Sequence, residues 1–176
     1  MNGSPHDGTP RGPIIVTAEL GHADQRWADR LRARYFPPER NRVHAHVTLF
    51  RHLPPSLADE LAGQLAALAQ SPPPDASIVG PYSLGQGVAI ALHSADLLAM
   101  RERLAERFAS LLTPQDQPVP RLHITIQNKV RPDVAHATLA ALRDEIRPRP
   151  IAIAALASWA YCGGAWSLIR RHPFRG

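Results

Sequence analysis

His46-Val47-Thr48-Leu49 and, 77 residues further on, His123-Ile124-Thr125-Ile126 are two versions of one pattern in a chain of 176 residues. In an extended strand, successive side chains point to opposite faces. Val47 and Leu49 therefore share one face and His46 and Thr48 the other, and Ile124 and Ile126 stand against His123 and Thr125 in the same way. The apolar face anchors each strand in a core, while the polar face presents an imidazole and a hydroxyl about 7 Å apart along the strand. The separation is close to half the chain and each motif is soon followed by a segment of helical spacing, as an ancient duplication would leave them. A pseudo-twofold axis would then set the two pairs facing each other across one groove. A third copy, His136-Ala137-Thr138-Leu139, falls in a helical pattern. Residues two apart on a helix point about 200° away from each other, so that pair cannot act on one atom.

Outward from the motifs, residues 14–18 read as a buried strand and 23–35 as a helix with Trp27, Leu31 and Tyr35 on one face, ended by Pro37-Pro38. Period two holds from 43 to 53, and Ser56 is expected to cap a helix running to Leu68. Ser71-Pro72-Pro73-Pro74 makes a stiff connection to two short strands, 76–83 and 88–92, joined by Gly85-Gln86-Gly87 as a hairpin turn. A helix is predicted over 96–112 with Leu97, Met100, Leu104, Phe108 and Leu111 on one face. Alternation returns over 122–130, a helix follows over 134–146, and 151–161 with 166–169 form a closing hairpin around Cys162-Gly163-Gly164. Helices and strands interleave in an α+β arrangement. One domain is expected over 13–176, behind a flexible tail over 1–12.

Composition narrows the class. One cysteine excludes a disulfide scaffold and a thiolate-rich zinc site, and 44% hydrophobic residues at this length suffice for a core without staples. No apolar run approaches the ~20 residues of a spanning helix, and the first twelve residues have neither the basic start nor the greasy centre of a signal peptide, so a cytoplasmic monomer with no membrane contact is expected. Basic residues exceed acidic ones by 20 to 15, and 19 of the 20 are arginine, Lys129 being the single lysine. Abundant Ala, Pro and Arg together carry the mark of GC-rich coding. The excess charge still suits a phosphate-bearing partner, because guanidinium groups meet phosphate oxygens as a bidentate fork.

Two imidazoles and two hydroxyls facing one groove form a site for a phosphodiester. One imidazole can take a proton from an attacking oxygen while the other protonates the departing one, and an ordinary pKa near 6.5 makes histidine competent for both. The threonines can donate hydrogen bonds to non-bridging oxygens, where charge builds in the transition state. No metal or other cofactor is called for. His44-Ala45-His46 puts two imidazoles on one strand face, but no Asp or Glu lies between Arg40 and Ala58 to complete a local hydrolytic metal site. Continued alternation adds Phe50 to the His46 face as a base-stacking candidate, and Arg121 and Lys129 to the His123 face as phosphate contacts. His44 and His52 are expected at the periphery, and Tyr161 and Trp166, flanking the glycine turn, as packing elements. A non-catalytic RNA-binding module is the rival reading; it accounts for the charge but does not demand two matched His/Thr pairs.

The paired motifs, AHVTLFRHLP and LHITIQNKV, together with the C-terminal YCGGAWSLIRRHPF, resemble those of the two-histidine (2H) phosphoesterases, the LigT-like group called 2′-5′ RNA ligases or RNA 2′,3′-cyclic phosphodiesterases. The resemblance runs from Ile14 to Phe174. It implies a bilobal pseudo-twofold α+β fold, with two antiparallel sheets lining a central water-filled cleft and helices outside. It implies cleavage of a 2′,3′-cyclic phosphate, on an RNA end or a nucleotide, to a 2′-phosphate with the 3′ oxygen leaving and no metal cofactor. Carried over by position, the motif histidines are His46 and His123 and the motif hydroxyls Thr48 and Thr125; the resemblance makes His46 the acid and His123 the base. The chain departs from the better-known cyclic phosphodiesterases five positions after the second histidine, where they tend to place an arginine and this chain has Asn128 beside Lys129. A 2′-5′ linkage or an ADP-ribose cyclic phosphate is the alternative substrate, and reverse ligation the alternative direction, because a site that stabilises one transition state serves both paths.

Overall fold

The computed structural model describes residues 12–175, so residues 1–11 of the expected tail lie outside the described residues. In chain order the described residues form eight strands and four α-helices: β1 (Ile14–Leu20), α1 (His22–Tyr35), β2 (Val47–Leu53), α2 (Ala58–Leu68), β3 (Ser77–Ser83), β4 (Val88–His93), α3 (Ala95–Arg107), β5 (His123–Gln127), α4 (Pro132–Glu145), β6 (Arg149–Pro150), β7 (Ile153–Cys162) and β8 (Ala165–Pro173). The strand order is β6-β3-β4-β5-β2-β1-β7-β8. All eight belong to one continuous antiparallel sheet where two sheets are expected from the sequence, because the motif strands β2 and β5 pair with each other through Val47 and Ile124 and so join its two four-stranded halves. Each half thus contributes its motif strand to the centre.

Val47 and Ile124 are fully buried and belong to one apolar cluster that includes Leu31 of α1, Leu61 and Leu65 of α2, Leu97 and Leu104 of α3 and Leu139 and Leu142 of α4. The helices therefore cover the valine/isoleucine face and leave the histidine face open. Local chemistry explains the ends. Ser94 caps α3, its Oγ accepting from the Leu97 N–H at 3.1 Å, whereas Ser56 does not cap α2: it lies inside a single 3₁₀ turn, Pro55–Leu57, set up by Pro54-Pro55. At the β7–β8 hairpin Gly163 and Gly164 both have positive φ, 71° and 113°, which a two-residue turn of the primed type requires.

Both motif strands carry a bulge at the same place. Thr17 opposes Thr48 but Val16 opposes Phe50, so Leu49 is the extra residue in β2; Ala89 opposes Thr125 but Val88 opposes Gln127, so Ile126 is the extra residue in β5. An extra residue breaks the two-residue alternation and bends the strand. Residues four after each histidine are consequently buried, Phe50 at 0% and Gln127 at 2% exposure.

Candidate active site in the central cleft

The β2–β5 register fixes the centre. Continued by one residue either way from Val47 and Ile124, it sets His46 across from Thr125 and Thr48 across from His123. Cross-strand neighbours lie about 4.5–5.5 Å apart at Cα, so the histidines occupy one diagonal and the threonines the other. All four side chains are half-buried.

The histidines are held identically. Nδ1 of His46 lies 2.6 Å from the carbonyl of His44, and Nδ1 of His123 lies 2.7 Å from the carbonyl of Arg121. A carbonyl only accepts, so Nδ1 carries the hydrogen and donates in both rings, and each Nε2 of the neutral ring is left with a free lone pair. The strand leading into His46 is pinned from α1: Asp29 accepts from the Ala45 N–H at 2.7 Å and pairs with His44 at 3.0 Å, while Gln25 donates to the Ala45 carbonyl at 2.8 Å. Arg32, almost fully buried, reaches from α1 to the carbonyl of Thr125 at 2.7 Å and to Asn41 at 3.1 Å, tying the first half to the second strand.

Each histidine has an aromatic flank. Trp166 of β8 lies 4.8 Å from His46, ring centre to ring centre, and Tyr82 of β3 meets His123 edge-on at 5.9 Å. In a flat sheet β8 would stand about 14 Å from β2 and β3 about 10 Å from β5. These contacts require the outer strands of both halves to curl toward the centre, which makes the face a cleft. Two cavities flank the centre. One of about 680 Å³ opens beside His46, with Trp159 and Trp166 as an aromatic wall and Arg26, Arg42 and Arg171 among its polar residues. The other, about 230 Å³, opens beside His123 and Thr48, and Arg51, Arg101 and Arg121 contribute to its lining.

Electrostatics favour neutral imidazoles in the cleft. Burial pushes the pKa of His46 down to about 4; the neighbouring Arg32 and His123 add to the fall, against the opposing pull of the His44 carbonyl and Asp29. His123 is lowered as well, first by burial and then by the Arg51 and Arg121 guanidinium groups, against the Arg121 carbonyl.

The other sequence-derived candidates divide. Arg121 stands beside His123 with its guanidinium 3.7 Å above the Tyr82 ring, in the smaller cavity. Phe50 is not in the cleft: the Leu49 bulge turns it into the core, where the Arg101 guanidinium lies 4.6 Å over its ring. Lys129 is beyond the end of β5, exposed at φ 58°, with its carbonyl accepting from Arg40 at 2.8 Å; it lines neither cavity, because the Ile126 bulge ends the alternation that would have carried it inward. His136 and Thr138 sit on α4, and Thr138 is buried and accepts from Gln127 at 2.9 Å. Arg51, Tyr82 and Arg32 were missed, and Trp166 is a wall of the cleft where packing alone was expected. Arg51 had a sequence signal: it stands five positions after His46, where Asn128 stands after His123.

A family model described as the 2′-5′ RNA ligase superfamily matches residues 21–165. No curated protein sequence matches the chain. Among solved structures, the fold is similar to that of TT0787 of Thermus thermophilus, at 14% identity and a TM-score of 0.58 over 93% of this chain and 98% of that one. It is similar also to Escherichia coli LigT complexed with NADP+, at 17% identity and a TM-score of 0.59 over 95% and 99%. LigT complexed with 3′-AMP matches at 17% identity and 0.50 over 94% and 99%. With most of its length under the family model and its paired His/Thr strands at the centre of a LigT-like fold, the chain belongs to the 2′-5′ RNA ligase superfamily.

Proposed function

We propose that this protein opens 2′,3′-cyclic phosphates, on RNA ends or nucleotides, to 2′-phosphates by general acid and base catalysis. The observation that carries this is the mirrored setting of His46 and His123. Each Nδ1–H donates to the carbonyl two residues back, which leaves both Nε2 atoms available to one phosphate. His123 takes a proton from water as it attacks phosphorus, and His46 gives a proton to the 3′ oxygen as its bond to phosphorus breaks. Thr48 and Thr125 donate to the non-bridging oxygens, whose charge grows along the way. Burial lowers His46 to about 4 and so favours its neutral form at pH 7; a phosphodiester anion bound against it favours the imidazolium and so loads the acid. The large cavity with Trp159 and Trp166 supports a nucleoside as the organic part of the substrate. The complexes of LigT with 3′-AMP and NADP+ belong to that protein, and they support the same ligand class here.

The reverse reaction, in which a 5′-hydroxyl end replaces water, shares the transition state and follows from the same residues. The test is incubation of the protein, with chelator present, with a panel of 2′,3′-cyclic nucleotides, RNA ending in a cyclic phosphate and a 2′-5′-linked dinucleotide, the products being identified by phosphorus NMR. A 2′-phosphate product from the cyclic substrates is expected. Tight RNA binding with no turnover on any member would replace the enzyme by a binding module.

A further inference from the structure

Behind their matching Nδ1 bonds, the two histidines are held by different means. His123 opens β5, where it lies opposite Ala91 of β4, and the Leu122 carbonyl before it accepts from the Leu92 N–H at 2.9 Å, so the sheet itself holds it. His46 stands one residue before β2, and residues 44–46 belong to no strand. Two side chains of α1, one helical turn apart, replace the ladder there: Asp29 accepts from the Ala45 N–H at 2.7 Å and Gln25 donates to the Ala45 carbonyl at 2.8 Å. The Ala45 N–H belongs to the same peptide group as the His44 carbonyl, which accepts from Nδ1–H of His46 at 2.6 Å. Carboxylate, peptide and imidazole thus form one chain of hydrogen bonds. Each bond in such a chain polarises the next, so negative charge on the N–H makes the carbonyl beyond it a stronger acceptor. At His123 the equivalent donor is the Leu122 N–H, and among the described residues no carboxylate accepts from it.

Resting on the acid and base reading of the cleft, we propose that Asp29 is a positioning residue for His46 that acts through the 44–45 peptide group, holding the ring with Nε2 free for the phosphate and favouring the imidazolium, as a carboxylate does when it bonds an imidazole directly. Asp29 keeps its charge throughout, and the proton that His46 gives up is the one on Nε2. The surroundings make this pull count. Burial, Arg32 of α1 and His123 of β5 all lower the pKa of His46, and Asp29 is the one side chain that raises it. His22, Arg26, Arg42 and the Arg171–Glu19 pair line the adjoining cavity, and part of Asp29 lines it too. The asymmetry suits unequal roles: a group that must carry a proton at neutral pH gains from a carboxylate behind it, and a group that must be neutral to accept one does not.

The experiment is a double-mutant cycle of Asp29→Asn with each histidine, read on hydrolysis of adenosine 2′,3′-cyclic phosphate. Asparagine keeps an oxygen for the Ala45 N–H and removes the charge. Alone, Asp29→Asn should lower kcat at pH 7.5 by about tenfold and move its alkaline limb down by about one pH unit. It should cost less than about twofold in a His46→Ala background but its full tenfold in a His123→Ala background. Asp133→Asn on α4 controls for overall charge and should leave kcat unchanged. Ala45→Pro, which deletes the peptide N–H and spares the carboxylate, should reproduce the loss, and it decides where Asp29→Asn fails to fold. A loss of equal size in all three backgrounds, or one confined to KM, would make Asp29 a fold support or a substrate contact and overturn the proposal; undiminished kcat in Asp29→Asn overturns it as well and spares the enzyme reading. NMR titration of the His46 ring nitrogens with inorganic phosphate present gives a readout without turnover, with a pKa about one unit lower in Asp29→Asn expected. If the wild type hydrolyses nothing, that difference upholds the action of Asp29 on His46 and overturns the reaction, and its absence overturns both.

Discussion

The pH dependence of the reaction should differ sharply between free and substrate-bound protein. The free cleft keeps both histidines neutral at pH 7, with His46 pushed down to about 4 by burial and by Arg32, and His123 also below its usual value. The reactive form needs one proton shared between them, so kcat/KM, which reports the free enzyme, should peak between about pH 4 and 6.5. Above that range it should fall about tenfold per pH unit. A bound phosphodiester brings one negative charge to hydrogen-bonding range of both rings. At about 4 Å and an effective dielectric of about 20, that charge favours an imidazolium by about 4 kcal/mol, equivalent to about three pKa units. Solvent in the open cleft reduces this, and an upward displacement of the alkaline limb of kcat by about one to three units relative to that of kcat/KM is expected. The assay is steady-state hydrolysis of a 2′,3′-cyclic nucleotide from pH 4.5 to 9 at constant ionic strength, with proton uptake on binding measured calorimetrically in buffers of different ionisation enthalpy. Coincident kcat and kcat/KM profiles, or a kcat/KM that stays flat from pH 6 to 9, would refute the argument that burial keeps the acid unprotonated until substrate arrives. Because the two histidines titrate as a pair, the limbs belong to the pair, and a different experiment must assign the roles.

That assignment comes from a cyclic substrate with sulfur in place of the 3′ oxygen: a thiolate leaves without protonation, so His46→Ala should recover most of its lost rate on it while His123→Ala stays slow, and the opposite pattern reverses the roles. On the oxygen substrate, His46→Ala and His123→Ala should each lower turnover by roughly 10²–10⁴, and Thr48→Ala and Thr125→Ala by on the order of 10–10³, in stopped assays on variants whose circular dichroism matches the wild type; undiminished turnover in all four would place the reaction elsewhere. Stability carries a related signature. The folded-state pKa values of His46, His123 and His172 are depressed by burial, so between their unfolded value near 6.5 and their folded values the unfolded chain binds more protons, and stability should fall as pH falls through that window. His46→Asn should make the melting temperature less steep from pH 6.5 to 4, and an unchanged slope in differential scanning calorimetry would count against a neutral, buried His46.

What the sequence by itself determined follows from the period of a strand. His46 with Thr48 and His123 with Thr125 had to share a face because alternation over three residues depends on the local backbone alone, and apolar partners at 47, 49, 124 and 126 told which face was core. The half-chain spacing announced the twofold relation, and the helical pattern around His136 disposed of the third copy. Alternation failed as a guide once a partner strand intervened. The bulges at Leu49 and Ile126 exist because β1 and β4 pair with β2 and β5 out of step by one residue, and a register between strands is a long-range property invisible in either strand alone. Those two residues removed Phe50 and Lys129 from the cleft, while Arg51, five positions after His46, came to line the cavity beside His123. Trp166 and Tyr82 entered the site for the same kind of reason: only the curl of the outer strands brings β8 and β3 over histidines on strands several positions away. Burial, too, belongs to the assembled fold. Histidine is near 6.5 in the isolated chain, and it is burial of His46 in the assembled fold that lowers it and favours the neutral ring.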